Sequence, residues 1–428
     1  MKPVPKDEPI VIIGAGLFGL STALELKKRG YLHVTVLDRF LPPVPDGSSV
    51  DISRVIRVEY ADPLYGQMAR EALEGWKTKY SKHFHTSGFA MLGAPGDGSY
   101  ASKAKEETEK VGGRLIQFKN ADKLRDHYPS IQAKLEGLEA HLNPAGGWAD
   151  AESSIRQLSN ECSSLGVSFI LGPRGTVHSL KYEHGRVVGV NVAQGPSISA
   201  SLVVLATGAW SNRLVDMSHA SSASGQPVGF IQLTDAEAQK LKGMPVMINL
   251  DTGIFVFPPT PDTNVLKIAR HGYGFGTAVP VVEEDKERLV SSPRRDTSNA
   301  VSGYLPDDAD AALRAGLAQL VPEFQSREWM DRRLCWYSDT PAGDFVVDHH
   351  PKVPGLFFAT GGAGHAFKFL PVLGTYIADC FENKAPEELR RKWSFPLPAG
   401  DNVGTKIGDG SRAGPPLRLL SPKEMSKL

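Results

Sequence analysis

Apolar positions along the chain recur with two different periods. Pro9-Ile10-Val11-Ile12-Ile13 is a short β-branched run without alternation, the pattern of a strand buried on both faces. Leu17, Leu20, Ala23, Leu24 and Leu26 follow at helical spacing, which predicts a helix packed back onto that strand. A second apolar strand, His33-Val34-Thr35-Val36-Leu37, ends at Asp38, and a third, from Ser201 to Leu205, runs into Ala206-Thr207-Gly208-Ala209-Trp210. Between them Gly185 to Val192 alternates apolar and polar residues, as a hairpin strand does. Further strands are predicted at Gly88 to Leu92, Pro245 to Asn249 and Gly253 to Phe257, a loop over Thr297 to Pro306 and a helix over Asp307 to Leu320. Alternating strands and helices at the start, with a strand-rich middle, predict an α/β protein in which a parallel sheet is joined to a mixed or antiparallel one.

The first strand and the first helix are joined by Gly14-Ala15-Gly16-Leu17-Phe18-Gly19, a G-x-G-x-x-G fingerprint. Its first glycine permits the tight turn, the second lets backbone approach a pyrophosphate, and the third lets the helix lie close to the strand. The helix N-terminus then points unpaired N–H groups at the phosphates. Asp38 ends the second strand, where a carboxylate can accept hydrogen bonds from an adenosine ribose, and Arg39 follows it. Strand, glycines, helix, strand and acid in this order predict a Rossmann-type dinucleotide site, without separating NAD from FAD. The later strand ending in Ala206-Thr207-Gly208 resembles the layout of glutathione-reductase-like and amino-acid-oxidase-like flavoproteins, and so favours FAD.

Composition narrows the choice of function. Among 428 residues, 48 Lys plus Arg balance 48 Asp plus Glu, so no global field draws the chain to nucleic acid or to an anionic membrane. Cys162, Cys335 and Cys380 are too few for a disulfide scaffold; Cys162 and Cys380 lie on helical patterns and are expected in the core. The apolar stretch from Ile10 to Leu26 is broken by glycines and by Glu25, short of the roughly 20 residues a membrane span needs. At the other end Ser426-Lys427-Leu428 reads as a peroxisomal address for an import receptor, on an exposed arm from Ser411 to Lys423. No metal-ligand cluster stands out, and His349-His350 before a proline reads as structural.

The richest segment lies between Arg333 and Gly374. It carries Leu334-Cys335-Trp336-Tyr337-Ser338-Asp339-Thr340-Pro341, then Ala359-Thr360-Gly361-Gly362-Ala363-Gly364-His365-Ala366-Phe367-Lys368-Phe369-Leu370-Pro371. With these motifs the chain, to about residue 395, resembles the monomeric sarcosine oxidase family, and most closely its fungal branch of fructosyl amino acid oxidases and pipecolate or saccharopine oxidases. The resemblance implies that Cys335 carries the flavin as an 8α-S-cysteinyl link and that Gly362 and Gly364 form a turn against it. A helix from about Gly364 to Phe381 would face the flavin with its N-terminus, and Lys368 in its first turn, needing an anionic partner, would bind the substrate carboxylate. Ser53-Arg54-Val55-Ile56-Arg57 is similar to a family stretch in which the first arginine lies near the flavin ring and the second pairs with that carboxylate. Spaced three apart, Arg54 and Arg57 would share a face if the stretch were helical. In the segment Val265 to Gly272, Lys267 matches a family lysine that activates oxygen and His271 a histidine beside the bound amine. Phe255 stands where the sarcosine enzymes carry a tyrosine near the substrate.

These readings together predict a discontinuous FAD domain over residues 1–85, 150–215 and 335–395, a substrate and oxygen-side domain over 86–149 and 216–334, and a C-terminal arm over 396–428. The expected activity is that of a monomeric FAD-dependent amine oxidase acting on a secondary amine that bears a carboxylate, of fructosyl amino acid type, with O2 as acceptor and hydrogen peroxide as product. An L-pipecolate or L-saccharopine oxidase, a biosynthetic tailoring oxidase of an N-methyl or cyclic amino acid, and a silent flavin-binding protein are the alternatives. Retention of Arg57, Lys267, His271, Cys335 and Lys368 together argues against the last.

Overall fold

A computed structural model describes residues 4–96, 98–217, 219–283, 286–294, 302–395 and 408–428. The apolar run at the start is the centre of a six-stranded sheet. Its order is Val346–His349, Leu356–Thr360, Leu202–Leu205, Ile10–Ile13, Val34–Asp38 and Ser168–Leu171, parallel except for the first strand. Strand periodicity of two divides the side chains cleanly: Ile10, Ile12, Val34, Val36 and Val204 enter one core, and Val11, Ile13, Leu37, Val203 and Leu205 enter the other. Three helices cover the first face. Leu17–Lys28 packs against Leu370–Phe381 and Ala151–Ser164, and Gly374 allows the closest approach, since a Cβ there would lie 2.5 Å from the Ser21 carbonyl oxygen. The second face is covered by an antiparallel sheet of Val177–Glu183, Arg186–Val192 and Ile198–Ser199. Cys162 and Cys380 are buried in the helical core.

A larger mixed sheet stands beside it. From one edge it runs through Arg418–Leu419, Phe275–Gly276, Ser222–Gln232, Val265–Arg270, Ile254–Val256, Val246–Asn249, Phe89–Gly93, Glu139–Asn143 and Ile116–Phe118, with Asp331–Asp339 paired along Ser222–Gln232. The helix Asp307–Leu320 packs on its apolar face, where Leu313, Leu317 and Leu320 are fully buried. Asp331–Asp339 forms one uninterrupted strand of this sheet, so the expected domain boundary before residue 335 falls inside an element rather than between two. Of the loop expected over Thr297 to Pro306, residues 302–306 carry no regular structure and 297–301 lie outside the described residues. No helix among the described residues is long and apolar enough to cross a membrane.

The expectation of an exposed arm over Ser411 to Lys423 is corrected. Arg418–Leu419 adds a parallel edge strand beside Phe275–Gly276, and Ser411, Arg412 and Leu420 are buried. The physical reason is a buried ion pair. The Arg412 guanidinium donates to both oxygens of Asp339, with Nη1 2.8 Å from Oδ2, and also to the carbonyls of Ala363 at 3.0 Å and Gly272 at 3.4 Å. Both ionic side chains are almost wholly out of solvent. Removing one partner strands the other charge, so Arg412→Ala should lose about 3 kcal/mol or more in equilibrium denaturation, and Arg412→Met combined with Asp339→Asn should lose less.

Candidate active site

The two sheets meet at a long cavity lined by Gly14, Asp38, Arg39, Thr207 and Gly208 towards one end and by Cys335, Tyr337, Lys267, Phe255 and Lys368 towards the other. At the nucleotide end the glycines are dictated by contact. Gly14 has φ +108°, and a Cβ on it would sit 2.5 Å from the Ala206 carbonyl oxygen; one on Gly19 would sit 1.9 Å from the Gly14 carbonyl oxygen. Gly16 leads into the helix, where Ser49 Oγ accepts from the Leu17 N–H at 2.9 Å, and Phe18 lies edge-on to Phe345. The Asp38 carboxylate accepts the N–H groups of Ala15 at 2.7 Å and Arg39 at 2.6 Å; burial raises its pKa in spite of them. Arg39 pairs with Asp46, lies over the Trp210 ring, and keeps a buried Nη1 that has no protein partner. A backbone cradle that admits no Cβ, a carboxylate and an orphaned guanidinium N–H are what an adenine dinucleotide engages through its pyrophosphate and ribose. These residues therefore fit FAD.

At the other end a buried carboxylate that was not anticipated organises the cations. Asp51 has no exposed side-chain surface, and its Oδ2 accepts from Lys267 Nζ at 2.8 Å and from Arg54 Nη1, while Arg333 stands 3.7 Å from Oδ1. Burial opposes its charge, but Lys267, Arg54 and Arg333 outweigh burial and hold Asp51 below the usual carboxylate range. Lys267 is buried and also donates to the Ser53 carbonyl at 2.7 Å; burial, against the attraction of Asp51, pushes its ammonium down to about 7. Ser53 keeps a buried hydroxyl without a partner. Arg54 also reaches the Cys335 sulfur at 3.6 Å, and Cys335 is a free thiol on a strand at the cavity wall.

Arg54 and Arg57 do not share a helical face. Arg54–Ile56 is a strand paired with Gly147–Ala149, so the first arginine turns to Asp51 and Cys335 and the second to a separate cluster. There the Arg57 guanidinium lies 4.6 Å from the Tyr60 ring centre, Nη2 donates to Tyr100 Oη at 3.1 Å, and the buried Nη1 has no protein partner. Lys368 Nζ lies 5.2 Å from the same ring and donates to Tyr60 Oη at 2.9 Å and to the His365 carbonyl at 2.7 Å. Lys368 sits not in the first turn of the long helix but in a 3₁₀ turn, Ala366–Phe369, that precedes Leu370–Phe381. The anionic partner expected for it is absent among the described residues: both acceptors are neutral, and burial together with Arg57 drives its pKa well below the ordinary lysine value. Gly362 and Gly364 form the turn ahead of it; Gly364 has φ +76°, and a Cβ there would meet the Tyr337 ring at 2.2 Å. Phe255 lines the cavity beside Phe257.

His271 does not border the long cavity. Its ring faces Ser411, with Nε2 3.0 Å from Oγ, and Asp409 lies beyond the serine. Asp51, Tyr60, Tyr100, His365, Asp409, Ser411 and Arg412 thus join the site although sequence reasoning passed over them. Asp51 stands two residues before the recognised Ser53-Arg54 stretch and His365 lies within the recognised motif of Lys368, which were the available signals; the others come together only through tertiary contacts.

A family model described as FAD dependent oxidoreductase matches residues 9–380. The chain belongs to this family. It is 32% identical over 90% of its length to L-saccharopine oxidase of Schizosaccharomyces pombe, covering 92% of that protein. It is 26% identical over 86% of its length to monomeric sarcosine oxidase of Bacillus sp. strain NS-129, covering 91%. Among solved structures, fructosyl peptide oxidase from E. terrenum superposes with a TM-score of 0.86 at 26% identity, covering 97% of each chain.

For this FAD-dependent oxidoreductase, the lowered Lys267 pKa makes a stability prediction. The unfolded lysine titrates near 10.5 and the folded one near 7, so between those values the unfolded state binds more protons and stability rises with pH. Lys267→Met removes that term. The wild type should gain stability relative to Lys267→Met between about pH 7 and pH 10, as read from paired denaturant titrations.

Proposed function

We propose that the protein is an FAD-dependent oxidase of carboxylate-bearing secondary amines, of fructosyl amino acid type. The observation that carries this is the pair of buried cations around Tyr60: Arg57 with an orphaned N–H, and Lys368 bonded only to neutral acceptors. Glu59 and Asp409 act on these cations only at a distance, with no ion pair among the described residues, and a substrate carboxylate would relieve both at once, the guanidinium by a fork and the ammonium as a point charge. Bound FAD would supply the redox chemistry, taking a hydride equivalent from the carbon next to nitrogen and passing its two electrons on to oxygen, so that the products would be an imine, hydrolysed afterwards, and hydrogen peroxide. The chain's own residues place the reactants. Phe255 and Phe257 form an apolar wall that excludes water, His271 stands behind the cavity residue Tyr337, with ring centres 6.0 Å apart, and Lys267 presents a desolvated cation to the negative charge that develops when oxygen is reduced. Gly14, Gly16, Gly19, Asp38, Arg39, Thr207, Gly208, Gly362 and Gly364 would hold the cofactor, and Cys335, beside Arg54, would carry it covalently. The discontinuous division into a cofactor domain and a substrate domain is part of this reading.

L-saccharopine is the second substrate reading, favoured by the 32% identity to the saccharopine enzyme over nine-tenths of the chain. We also read Ser426-Lys427-Leu428, in which Ser426 and Lys427 are exposed, as a peroxisomal address, in keeping with a peroxide-forming reaction.

Two experiments test the proposal. Purified protein should form peroxide with at least one of fructosyl-valine, fructosyl-lysine, L-saccharopine, L-pipecolate and sarcosine, and Arg57→Met should lower kcat/KM for that substrate by about 10- to 100-fold, mainly through KM. No peroxide from all five would overturn the activity. For the covalent link, acid precipitation should leave the yellow colour with the protein and Cys335→Ala should release it to the supernatant; release from the wild type would remove Cys335 from that role.

A further inference from the structure

The hydrogen bonds that end on Lys368, a residue of the cavity wall, each have a determined direction. His365 Nε2 stands 2.7 Å from the Gly343 carbonyl oxygen, which can only accept, so Nε2 carries the hydrogen. Burial, with Lys368 acting in the same direction, pushes the His365 ring down to about 3, so the ring is neutral and Nδ1 is bare. Tyr60 Oη lies 2.9 Å from that Nδ1, and burial keeps the phenol protonated, so its one hydrogen goes to His365. Tyr60 Oη therefore meets Lys368 Nζ, at 2.9 Å, as an acceptor. The His365 carbonyl, 2.7 Å from Nζ, is an acceptor as well. Each contact uses one hydrogen of Nζ, and no third acceptor lies within hydrogen-bond distance of it among the described residues. A neutral amine has two N–H groups and a lone pair, whereas an ammonium has three N–H groups. The neutral form is fully used by its surroundings; the ammonium would hold one donor without a partner.

We infer that Lys368 is a neutral amine in the ligand-free enzyme and becomes an ammonium by taking one proton from solvent as an anion binds, its third N–H then reaching the ligand carboxylate. The inference deepens the proposed function and rests on it for the carboxylate; the neutral amine of the ligand-free enzyme stands on the hydrogen-bond count alone. The surrounding charges point the same way. Lys368 and Arg57 flank one ring, 5.2 Å and 4.6 Å from the centre of Tyr60. A guanidinium does not deprotonate in proteins, so of these two buried neighbours the lysine is the one that can give up its charge. Burial and then Arg57 lower Lys368, against the weaker pull of Asp409 and Glu59. Burial opposes ionisation of Asp409, but His365, His271 and the Ser411 donors hold it below the usual carboxylate range. Glu59 is the other group that could take the proton: it is fully buried, its Oε2 has no partner, and burial raises its pKa in spite of Arg57. A ligand carboxylate supplies the countercharge that Lys368 lacks and so raises its affinity for a proton. Anion and proton then bind together, and the affinity for the anion falls about tenfold per pH unit wherever the free amine is neutral and the bound one charged.

The test uses holoenzyme and cyclohexanecarboxylate, a carboxylate with no amine to titrate. Calorimetric titrations at about pH 8 in phosphate and in Tris, which differ in ionisation enthalpy, should give uptake of about one proton per carboxylate bound. Uptake should persist in Glu59→Gln and be lost in Lys368→Met. Binding without uptake in the wild type, loss of uptake in Glu59→Gln, or its persistence in Lys368→Met overturns the inference. Labelling with ¹⁵Nζ-lysine reads the ligand-free state directly, the Lys368 signal being the one missing from Lys368→Met. It should be that of a neutral amine at the same pH, and an ammonium there overturns the inference. If neither cyclohexanecarboxylate nor any of the amine substrates binds, the carboxylate-site reading falls, and the lysine spectrum still decides the charge of Lys368.

Discussion

The site is organised by the pairing of buried cations with too few carboxylates. Asp51, entirely removed from solvent, draws Lys267, Arg54 and Arg333 to one point, and in doing so brings the residues after the second strand against a strand of the mixed sheet and against Cys335. Desolvation weakens each charge, and the shared carboxylate keeps them together. Lys267 and Arg54 are thereby fixed at the wall of the cavity that joins the two sheets.

The second cluster follows the opposite rule. Around Tyr60, Arg57 and Lys368 have aromatic and carbonyl neighbours but no carboxylate among the described residues within ion-pair distance. One cluster thus has its countercharge built in, while the other has none within ion-pair distance among the described residues. A fold that balances one cluster and leaves its neighbour open separates the tasks of reacting with oxygen and of recognising a substrate, under the proposed reading.

Asp339 and Asp409 extend this electrostatic arrangement to the C-terminal segment. Arg412 ties the segment to the strand that carries Cys335, and the same segment brings Asp409 and Ser411 to His271. It is a structural part of the site, joined to the mixed sheet by an edge strand, although its proline, glycine and basic residues read in isolation as a free arm.

The sequence by itself determined the elements with strong local periodicity. The buried strands at Ile10–Ile13, Val34–Asp38 and Leu202–Leu205, the glycine turn between the first strand and helix, and the helix Asp307–Leu320 were legible because apolar spacing and glycine stereochemistry are local properties. The motifs around Cys335, Lys267 and Lys368 were legible as a resemblance. Tertiary structure alone decided what each charge faces: Arg54 turned to Asp51, Lys368 to a tyrosine, and His271 to a serine 140 residues further along. Those pairings depend on desolvation and on strands from distant segments lying side by side, and neither leaves a periodic trace in the chain.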